Sequence, residues 1–468
     1  MTMQPAEMVP AFGAPGPVTG IRRRILAQVS TDKPTSAGLG QTALTAFGVR
    51  VLSAAIAYVT QMVLARWMGS SEYGIYVWIW VWVLILGGLS ALGLQVAIIR
   101  FVPQYLERGE MDLLAGVLRA GRAIPVAIST GVASLGLVGL QLWGTALPLD
   151  YRLPLYLAMG CLPLYTLTEV QDGIGRGRGW IMLGLLPPYV LRPLLILAAM
   201  VGAHAFGWPM LATTAAAAAL IATWGTGLVQ WLFMQRRLAH ELAATVRPRY
   251  VVGEWMLTSL PICFISACEL LQQNLDVLVL TRYVDASHVG IYFAAQKSIG
   301  LVAFVNYAVG SAIAGRLSAL KARGDHEGVR NAVQRGALLT FLPSVAGAVV
   351  LLGIGGPLLS MFGKEFTSGT TLMYVLAAGF VIRAAVGPAE YVLRMLGEQT
   401  LCAWVLGSTA AVYLLLALLF VPLYGTMGAA VANTVTMAMS AIMFWVLAKQ
   451  RLGFDVSVLS SLRGFGSR

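Results

Sequence analysis

The sequence predicts an all-α membrane protein with about twelve spanning helices, arranged as two repeated six-helix bundles. Of its 468 residues, 58% are hydrophobic and only 11% are charged, whereas a soluble domain carries about 25% charged residues. Apolar runs of about 20 residues recur along the chain, and a run of this length crosses a bilayer as a helix. The runs are continuous rather than alternating, which excludes a transmembrane β-barrel.

A duplication divides the chain into two equivalent halves. Residues 64–76 align without a gap on residues 280–292, and six of the thirteen positions are identical. Both segments lie between two long apolar runs, so each is expected to form a turn between spanning helices. Duplicated helical bundles in membranes are typical of transporters, and the repeat therefore favours a transport function.

Six spans are predicted in each half. They cover residues 41–65, 73–99, 121–144, 153–175, 180–203, 209–234, 256–282, 289–315, 337–360, 369–393, 400–421 and 425–448. Because six is an even number, equivalent helices point the same way and the repeat is parallel. The predicted domains are a disordered tail, a six-helix bundle, a linker, a second six-helix bundle and a C-terminal tail, at residues 1–40, 41–234, 235–255, 256–448 and 449–468.

The basic residues predict the orientation of the chain. With both termini in the cytoplasm, 24 of the 32 Lys and Arg lie in the tails and cytoplasmic turns with their flanks, and four lie on the opposite side. This asymmetry follows the positive-inside rule. It explains the net charge of +12, so we predict no nucleic-acid partner. The N-terminal tail lacks the basic start and apolar core of a signal peptide.

The seventh span carries a polar stripe. Glu269, Gln272, Gln273 and Asp276 are spaced i, i+3, i+4 and i+7, which puts them on one face of a helix. A polar face inside a membrane is expected to look onto a cavity or a partner helix. The 216-residue offset maps this stripe onto the face of the first span that carries Arg50. We expect an aqueous central cavity between the two stripes; the alternative is a structural ion pair between Arg50 and Glu269.

Three further basic residues lie within spans, where charge usually marks a pathway, a pair or a cavity. Lys297 lies several residues inside the eighth span, and Arg383 shares a face of the tenth span with Glu390. Arg192 follows Pro187-Pro188 by one turn and precedes Pro193, so a kink is predicted whose unpaired carbonyls Arg192 would satisfy. Structural and functional roles are equally weighted for Arg192.

Two acidic residues of the fourth span are interpreted differently. Glu169 and Asp172 lie close to its cytoplasmic end, where solvation or pairing with a loop is at least as good an explanation as a site. The adjoining Gly173–Gly179 segment looks like a phosphate loop, but its spacing is wrong and no strand precedes it. We interpret it as a flexible cytoplasmic turn.

The sequence lacks signatures of catalysis and of cofactor binding. It contains no Walker A segment, and its four His do not cluster as metal ligands. All four Cys lie inside apolar runs, as small buried hydrophobic residues do. We therefore predict no catalytic residue, no metal and no cofactor, and we expect transport rather than an enzymatic reaction.

A series of short motifs follows in order along the chain: Ala65–Tyr76, Leu89–Leu94, Arg100–Pro103, Val289–Ala295, Met361–Phe366 and Gly387-Pro388. In their order and spacing these motifs resemble bacterial polysaccharide flippases of the multidrug/oligosaccharidyl-lipid/polysaccharide exporter superfamily. The resemblance covers residues 40–450. It implies a V-shaped, MATE-like pair of bundles that alternates between inward-open and outward-open states in the bacterial inner membrane.

The resemblance also implies the substrate and partners. The substrate would be an undecaprenyl-diphosphate-linked oligosaccharide for surface polysaccharide, and polysaccharide polymerase and glycosyltransferase machinery would be partners beside the lipid bilayer. Arg50, Lys297, Arg383 and Arg192 would serve the phosphates. The polar residues of the seventh span would serve the sugars or a coupling ion. Arg50 is the sole interior Arg of the first two spans, which counts against lipid II as the substrate.

Two other functions are weighed against the flippase. A multidrug exporter of the same superfamily predicts acidic, aromatic-lined sites and few interior cations, whereas this sequence has four. A membrane-embedded glycosyltransferase or polymerase needs room for acid and base groups, usually on a large extracytoplasmic loop. Here every such loop is short.

Overall fold

The computed structural model describes residues 36–144, 147–241, 246–322, 325–395, 397–458 and 460. Within these ranges the chain is helical and contains no strand, which confirms the predicted all-α class. The chain divides into two compact units, residues 1–48 and 49–468. Most of the predicted disordered tail lies outside the described residues, but helix is already formed from residue 36. The following description concerns the second unit.

The first half of the fold runs as far as residue 241. Its helices are α1 (Ser36–Ser90), α2 (Leu94–Arg108), α3 (Met111–Trp143), α4 (Leu149–Gly177), α5 (Ile181–Leu186), a π-helical turn (Pro187–Leu191), α6 (Arg192–Ala205) and α7 (Ala212–Glu241). The π-helical turn joins α5 to α6, so these elements together form one crossing of 25 residues.

The second half begins at residue 252. Its helices are α8 (Val252–Tyr283), α9 (Ala286–Gly300), α10 (Ala303–Ala322), α11 (His326–Gly353), α12 (Gly355–Ser360), a 3₁₀ turn (Lys364–Gly369), α13 (Thr370–Ala385), α14 (Ala389–Met395) and α15 (Gln399–Leu452). Helix α7 extends seven residues beyond the end predicted for the sixth span, so the connection between the halves is shorter than the predicted linker.

Two helices are long enough to cross a bilayer twice. Among the described residues there are ten candidate membrane helices; one of 61 residues, Gly48–Arg108, contains most of α1 together with α2, and one of 53 residues, Thr400–Leu452, lies in α15. Each is interrupted by a glycine in a left-handed conformation, Gly69 (φ 77°) in α1 and Gly425 (φ 56°) in α15, which only glycine adopts without steric cost. With each of the two counted as a pair of crossings, the described chain agrees with the prediction of about twelve spans.

The ends of the helices define two sides of the protein. The linker side carries the turn at residues 109–110, the connection at residues 246–251 and the C-terminal segment. The opposite side, called the far side below, carries the break at Gly69 and the turn between α8 and α9. By the distribution of Lys and Arg, the linker side is the predicted cytoplasmic side.

The C-terminal segment folds back onto the linker side. Gly453 ends α15 in a left-handed conformation (φ 74°), and the Asp455 carboxylate then accepts hydrogen bonds from Trp445 Nε1 and the Ser457 backbone N–H, both 2.8 Å long. Burial alone would raise the pKa of Asp455, but these hydrogen bonds hold it below its ordinary value. Val456 is fully buried, so this part of the predicted tail belongs to the folded domain.

The predicted kink near Arg192 is present as the π-helical turn. Pro187 and Pro188 have no N–H group, so Leu183 and Gly184 lose their helical donors. The Nε2 group of Gln230 on α7 donates to both carbonyls, at 3.0 Å and 3.2 Å. The expectation that Arg192 would satisfy them is wrong, because a fully buried glutamine on the neighbouring helix supplies the hydrogen bonds.

Replacing Gln230 with Leu should therefore lower the free energy of unfolding by about 2 kcal/mol, because two buried carbonyl groups would lose their donors. Thermal unfolding of the purified protein in detergent measures the change. Gln235→Leu is the matched control, since Gln235 lies on the same helix and is half-buried. An equal loss of stability in both variants would contradict this role of Gln230.

Candidate functional site

The polar stripe of α8 turns mainly into the second half. Gln272 Nε2 donates to the Leu406 carbonyl at 3.3 Å and to the Thr409 hydroxyl. Asp276 is buried and accepts hydrogen bonds from Gln296 and from the Val277 N–H. Gln273, in contrast, is exposed in the middle of the helix. The predicted stripe thus contains groups engaged by neighbouring helices and one group that faces open space.

Glu269 begins a chain of four alternating charges. Its carboxylate is 2.6 Å from Arg394, which is 2.8 Å from Glu390, and Glu390 is in turn 2.8 Å from Arg383. Burial alone would lower the pKa of Arg394, but the charges of Glu390 and Glu269 raise it above its ordinary value. Glu269 is therefore paired with Arg394, and the alternative ion pair with Arg50 is wrong.

A polar cavity adjoins this chain of charges. Its volume is about 210 Å³. The lining residues are Val302, Ala303, Asn306, Ser344, Phe380, Arg383, Ala384 and Tyr391. The side-chain oxygen of Asn306 is buried and accepts no hydrogen bond from the described protein atoms. A space of this volume can hold several water molecules, and Arg383 and Asn306 supply the polar partners that such molecules need.

Lys297 is exposed although it lies well within a predicted span. Its ammonium group is 4.8 Å from the centroid of the Phe293 ring, and Asp276 acts as its electrostatic partner. The next residue, Ser298, is fully buried and shares a 2.8 Å hydrogen bond with the hydroxyl of Tyr58 on α1. Lys297 therefore lies beside a point at which the two halves of the protein meet.

Arg50 and Arg192 both contact aromatic rings of the first half. The guanidinium carbon of Arg50 lies 4.2 Å from the ring centroid of Tyr189. Arg192 is only 7% exposed, and its guanidinium carbon lies 4.8 Å from the Tyr165 ring and 5.9 Å from the Trp80 ring. Arg50 is half-buried, so it retains access to open space, whereas Arg192 is enclosed.

The sequence did not reveal a buried polar set in the first half. Asp172 is 1% exposed and pairs at 2.6 Å with Arg176 on the same helix, so solvation is the wrong interpretation for this residue, and its ion pair is made within α4 rather than with a loop. Side-chain atoms of several residues are buried without a hydrogen-bond partner among the described atoms. They belong to Gln171, Asp172, Arg192, Thr223, Thr226 and Gln230. These residues are spread over three helices, so spacing within one helix gives no signal of their proximity.

The far side is closed by contacts between the two halves. The Ser70 and Ser287 hydroxyls share a 2.6 Å hydrogen bond, and the Ser70 N–H donates to Glu365 at 2.6 Å. Arg66 donates to the Met361 carbonyl at 3.3 Å. We call this set of contacts the far-side seal. It joins the segment around the break in α1 to two turns of the second half, at residues 284–287 and 361–365.

Two glycines let the repeated segments touch within the far-side seal. A Cβ atom added to Gly74 would lie 1.8 Å from the Ala286 carbonyl oxygen, and one added to Gly290 would lie 2.5 Å from the Ser70 carbonyl oxygen. The 216-residue offset maps Gly74 onto Gly290 and Ser70 onto Ala286. The same contact is therefore made twice, as a pseudo-twofold axis between the halves requires.

Burial along the first segment of α1 falls from the far side towards the linker side. Leu64 and Ala65 are fully buried, whereas Val51 and Leu52 are exposed. The halves also touch on the linker side, where the start of α8 packs on α2: a Cβ atom added to Gly93 would lie 2.3 Å from the Ser259 carbonyl oxygen. In the part of α1 that precedes Gly69, the residues near the far side are thus packed between neighbouring helices, and the residues near the linker side are accessible.

Comparison with known proteins identifies the family. A family model described as polysaccharide biosynthesis protein matches residues 39–320, which is more than half of the chain, and a second model, MatE, matches residues 261–419. The chain belongs to the polysaccharide biosynthesis protein family. The predicted resemblance to polysaccharide flippases of this superfamily is confirmed.

Two curated relatives of this family member come from Haloferax volcanii. It is 26% identical over 199 residues to a protein named Probable flippase AglR, with 42% of this chain and 40% of that protein covered. It is 22% identical over 176 residues to one named Probable low-salt glycan biosynthesis flippase Agl15, with 36% of each covered. The matches span less than half the length of these relatives.

The fold is that of a solved transporter. The chain resembles the inward-facing conformation of a multidrug resistance MATE family transporter of the MOP superfamily, with a TM-score of 0.74. The superposition covers 87% of this chain and 98% of that chain at 13% sequence identity. At this identity the likeness concerns the fold alone, and it confirms the MATE-like architecture expected for this multi-pass membrane protein.

Proposed function

We propose that this chain is a flippase that moves an oligosaccharide on undecaprenyl diphosphate from the cytoplasmic to the periplasmic leaflet of the bacterial inner membrane. The observation that carries the proposal is the exposed cation Lys297 within a membrane span, beside the contact between the halves. An exposed charge within the hydrocarbon region of the membrane requires a polar partner or a water-filled cavity. The family and the names of the relatives support a glycan substrate.

The charges of the site suit a diphosphate group. Lys297 and the half-buried Arg50 retain access to open space, as does Arg383, whose charge is already paired with Glu390. Charge-assisted hydrogen bonds to phosphate oxygens are among the strongest that proteins make. The exposed amide of Gln273 would donate to or accept from the sugar hydroxyls. The prenyl chain would stay in lipid, since its transfer into a polar space is unfavourable.

The other candidate residues have supporting roles in this proposal. Arg192 is enclosed by aromatic rings, and Arg383 is neutralised by Glu390. Glu269, Gln272 and Asp276 are engaged by neighbouring side chains or carbonyls. We assign these residues to stabilising the helices around the polar path, the name we give to the route lined by Lys297, Arg50 and Gln273. Asp276 would also balance the charge of Lys297 when no substrate is bound.

Alternating access would supply the movement. A closed far-side seal and an accessible linker side correspond to a state in which substrate enters from the cytoplasm. Opening of the seal would then release the substrate to the periplasm. Glycosyltransferases would build the substrate on the cytoplasmic leaflet, and a polymerase would use it on the periplasmic leaflet. The positive-inside distribution of Lys and Arg supports this orientation, with both termini cytoplasmic.

Deletion of the gene in its host tests the proposal. We expect lipid-linked oligosaccharide to accumulate on the cytoplasmic leaflet, with rescue by the wild type and by Lys297→Arg, but not by Lys297→Ala. Arg50→Ala should also rescue poorly. Arg282→Ala is the matched control, because Arg282 is an exposed cation at the far-side end of α8.

Two other results would overturn the proposal. Intact surface polysaccharide with no accumulated intermediate would favour the multidrug exporter. Accumulation of unpolymerised oligosaccharide on the periplasmic leaflet would mean that flipping is intact, and it would favour the membrane-embedded polymerase.

A further inference from the structure

A cluster of cations surrounds one tryptophan on the linker side of the first half. The guanidinium carbons of Arg178 and Arg237 lie 5.1 Å and 4.7 Å from the ring of Trp180. Arg178 and Trp180 lie between α4 and α5, whereas Arg237 comes from α7. Two like charges, one from the turn between α4 and α5 and one from α7, thus lie on one indole ring. Each benefits from the cation–π interaction while the pair repels.

The turn that carries Arg178 is held by close packing. Helix α4 continues through Gly177, and a Cβ atom added to Gly175 would lie 2.7 Å from the backbone of Gly184. One added to Gly177 would lie 3.2 Å from Ile98 and Val102. Gly175 and Gly177 therefore serve helix packing, so the interpretation of residues 173–177 as a flexible turn is wrong, whereas Arg178 and Gly179 (φ 75°) do form a turn. The turn that carries Arg178 thus follows directly from a closely packed helix end.

The cluster carries excess positive charge. Glu241 pairs with Arg178, and Arg176 is engaged by Asp172. Arg237 and its neighbour Arg236 are exposed. Burial, together with the charge of Arg237, lowers the pKa of Arg178 to about 10, so the group stays protonated at neutral pH. Among the described residues, the two cations that contact Trp180 thus have one carboxylate partner between them.

The cluster lies next to the lipid-facing surface of α7. Trp231, Leu232 and Phe233 are exposed large hydrophobic residues of a membrane helix, and the exposed arginines follow within one turn. The arginines therefore mark the level at which the apolar belt ends. Phosphate groups of lipids lie at this level, and basic clusters on the cytoplasmic side are suited to anionic headgroups.

We propose that Arg178, Trp180 and Arg237 form a binding site for the phosphate of an anionic phospholipid headgroup. Arg237 is the accessible ligand, and Trp180 fixes both guanidinium groups towards the phosphate. The acyl chains would lie along the apolar surface of α7. This site is separate from the polar path of Lys297, and it does not depend on the proposed transport function.

Mass spectrometry of the full-length protein in detergent, with phosphatidylglycerol added, tests the proposal. Arg237→Gln should weaken phosphatidylglycerol binding about fivefold, because it removes the guanidinium group that Trp180 holds as the accessible phosphate ligand. Arg178→Gln should weaken binding as well. Arg236→Gln is the matched control: it removes the same charge from the same helix but leaves the contacts of Trp180 intact, so binding should change little.

Other outcomes overturn the site. Equal losses in Arg236→Gln and Arg237→Gln would indicate unspecific attraction, and unchanged binding in Arg237→Gln would exclude its role. Undecaprenyl diphosphate serves as a second probe. Binding of that lipid alone, lost in Arg237→Gln, would make the cluster a substrate site rather than a phospholipid site. Thermal unfolding of each variant separates loss of the site from loss of the fold.

Discussion

A disulfide across the far-side seal should abolish transport until it is reduced. The variant carries Ser70→Cys and Ser287→Cys, whose hydroxyl oxygens are 2.6 Å apart in the structure. Two side chains this close are within the reach of a disulfide, whose Cβ atoms lie about 3.5–4.5 Å apart. A covalent bond here removes the far-side-open state. If transport needs that state in every cycle, we expect flipping to fall to background after oxidation.

The measurement is flipping of a labelled lipid-linked oligosaccharide in proteoliposomes, before and after reductant. Each single cysteine variant is a control for the effect of substitution. The four native cysteines are free thiols, and Cys263 is the half-buried one, so Cys263→Ser provides a suitable background. Full transport by the cross-linked protein would mean that the seal does not open, and it would refute alternating access at this position.

The seal also illustrates what the sequence can predict. The aligned segments at residues 64–76 and 280–292 predict a repeated turn, and the structure brings these turns into contact. Symmetry accounts for this success, because equivalent segments of a parallel repeat meet near the axis that relates them. The positive φ of Gly69 is less accessible to prediction. It depends on how the two segments of α1 pack, which spacing along one chain does not report.

Partner choice is the part of the site that the sequence does not determine. The helical period predicts correctly that Glu269, Gln272 and Asp276 share a face of α8, but it does not give the rotation of that face towards other helices. The sequence places Arg50 opposite Glu269, whereas in the structure Glu269 forms its ion pair with Arg394. Arg394 lies one residue beyond the end predicted for the tenth span. Its i, i+4 spacing from Glu390 was the available signal.

Replacing Arg394 with Gln should destabilise the second half and reduce transport. The change leaves Glu269 without its cation, whereas Glu390 keeps Arg383. Loss of one partner from a buried pair costs about 3–5 kcal/mol. The side chains of Arg394 and Glu269 are 35% and 33% exposed, so solvent screening reduces the expected loss to about 1–2 kcal/mol. Thermal unfolding in detergent measures it, with Arg451→Gln as the control for an exposed pair with Glu398.

The double variant Glu269→Gln/Arg394→Gln separates a structural pair from a functional one. Both charges are then absent, and stability should recover by a coupling energy of about 0.5–3 kcal/mol. If the pair only holds α8 against α14, transport should recover with stability. If Glu269 also contacts substrate or moves a coupling ion, the double variant should be stable but inactive. A double variant less stable than Arg394→Gln alone would contradict the pairing itself.

The position of this chain of charges explains why Arg394→Gln should reduce transport whether the Glu269–Arg394 pair is only structural or also functional. It links α8, which carries the exposed Gln273, to the Arg383 cavity between α10 and α13. If α8 rotates when the far-side seal opens, either the ion pair between Glu269 and Arg394 must break or α14 must move together with α8. A diphosphate bound near Lys297 would draw the cations towards itself and weaken their hold on the carboxylates. Substrate charge would thereby be coupled to the packing of α8, and Arg394→Gln should slow the conformational step even where binding persists.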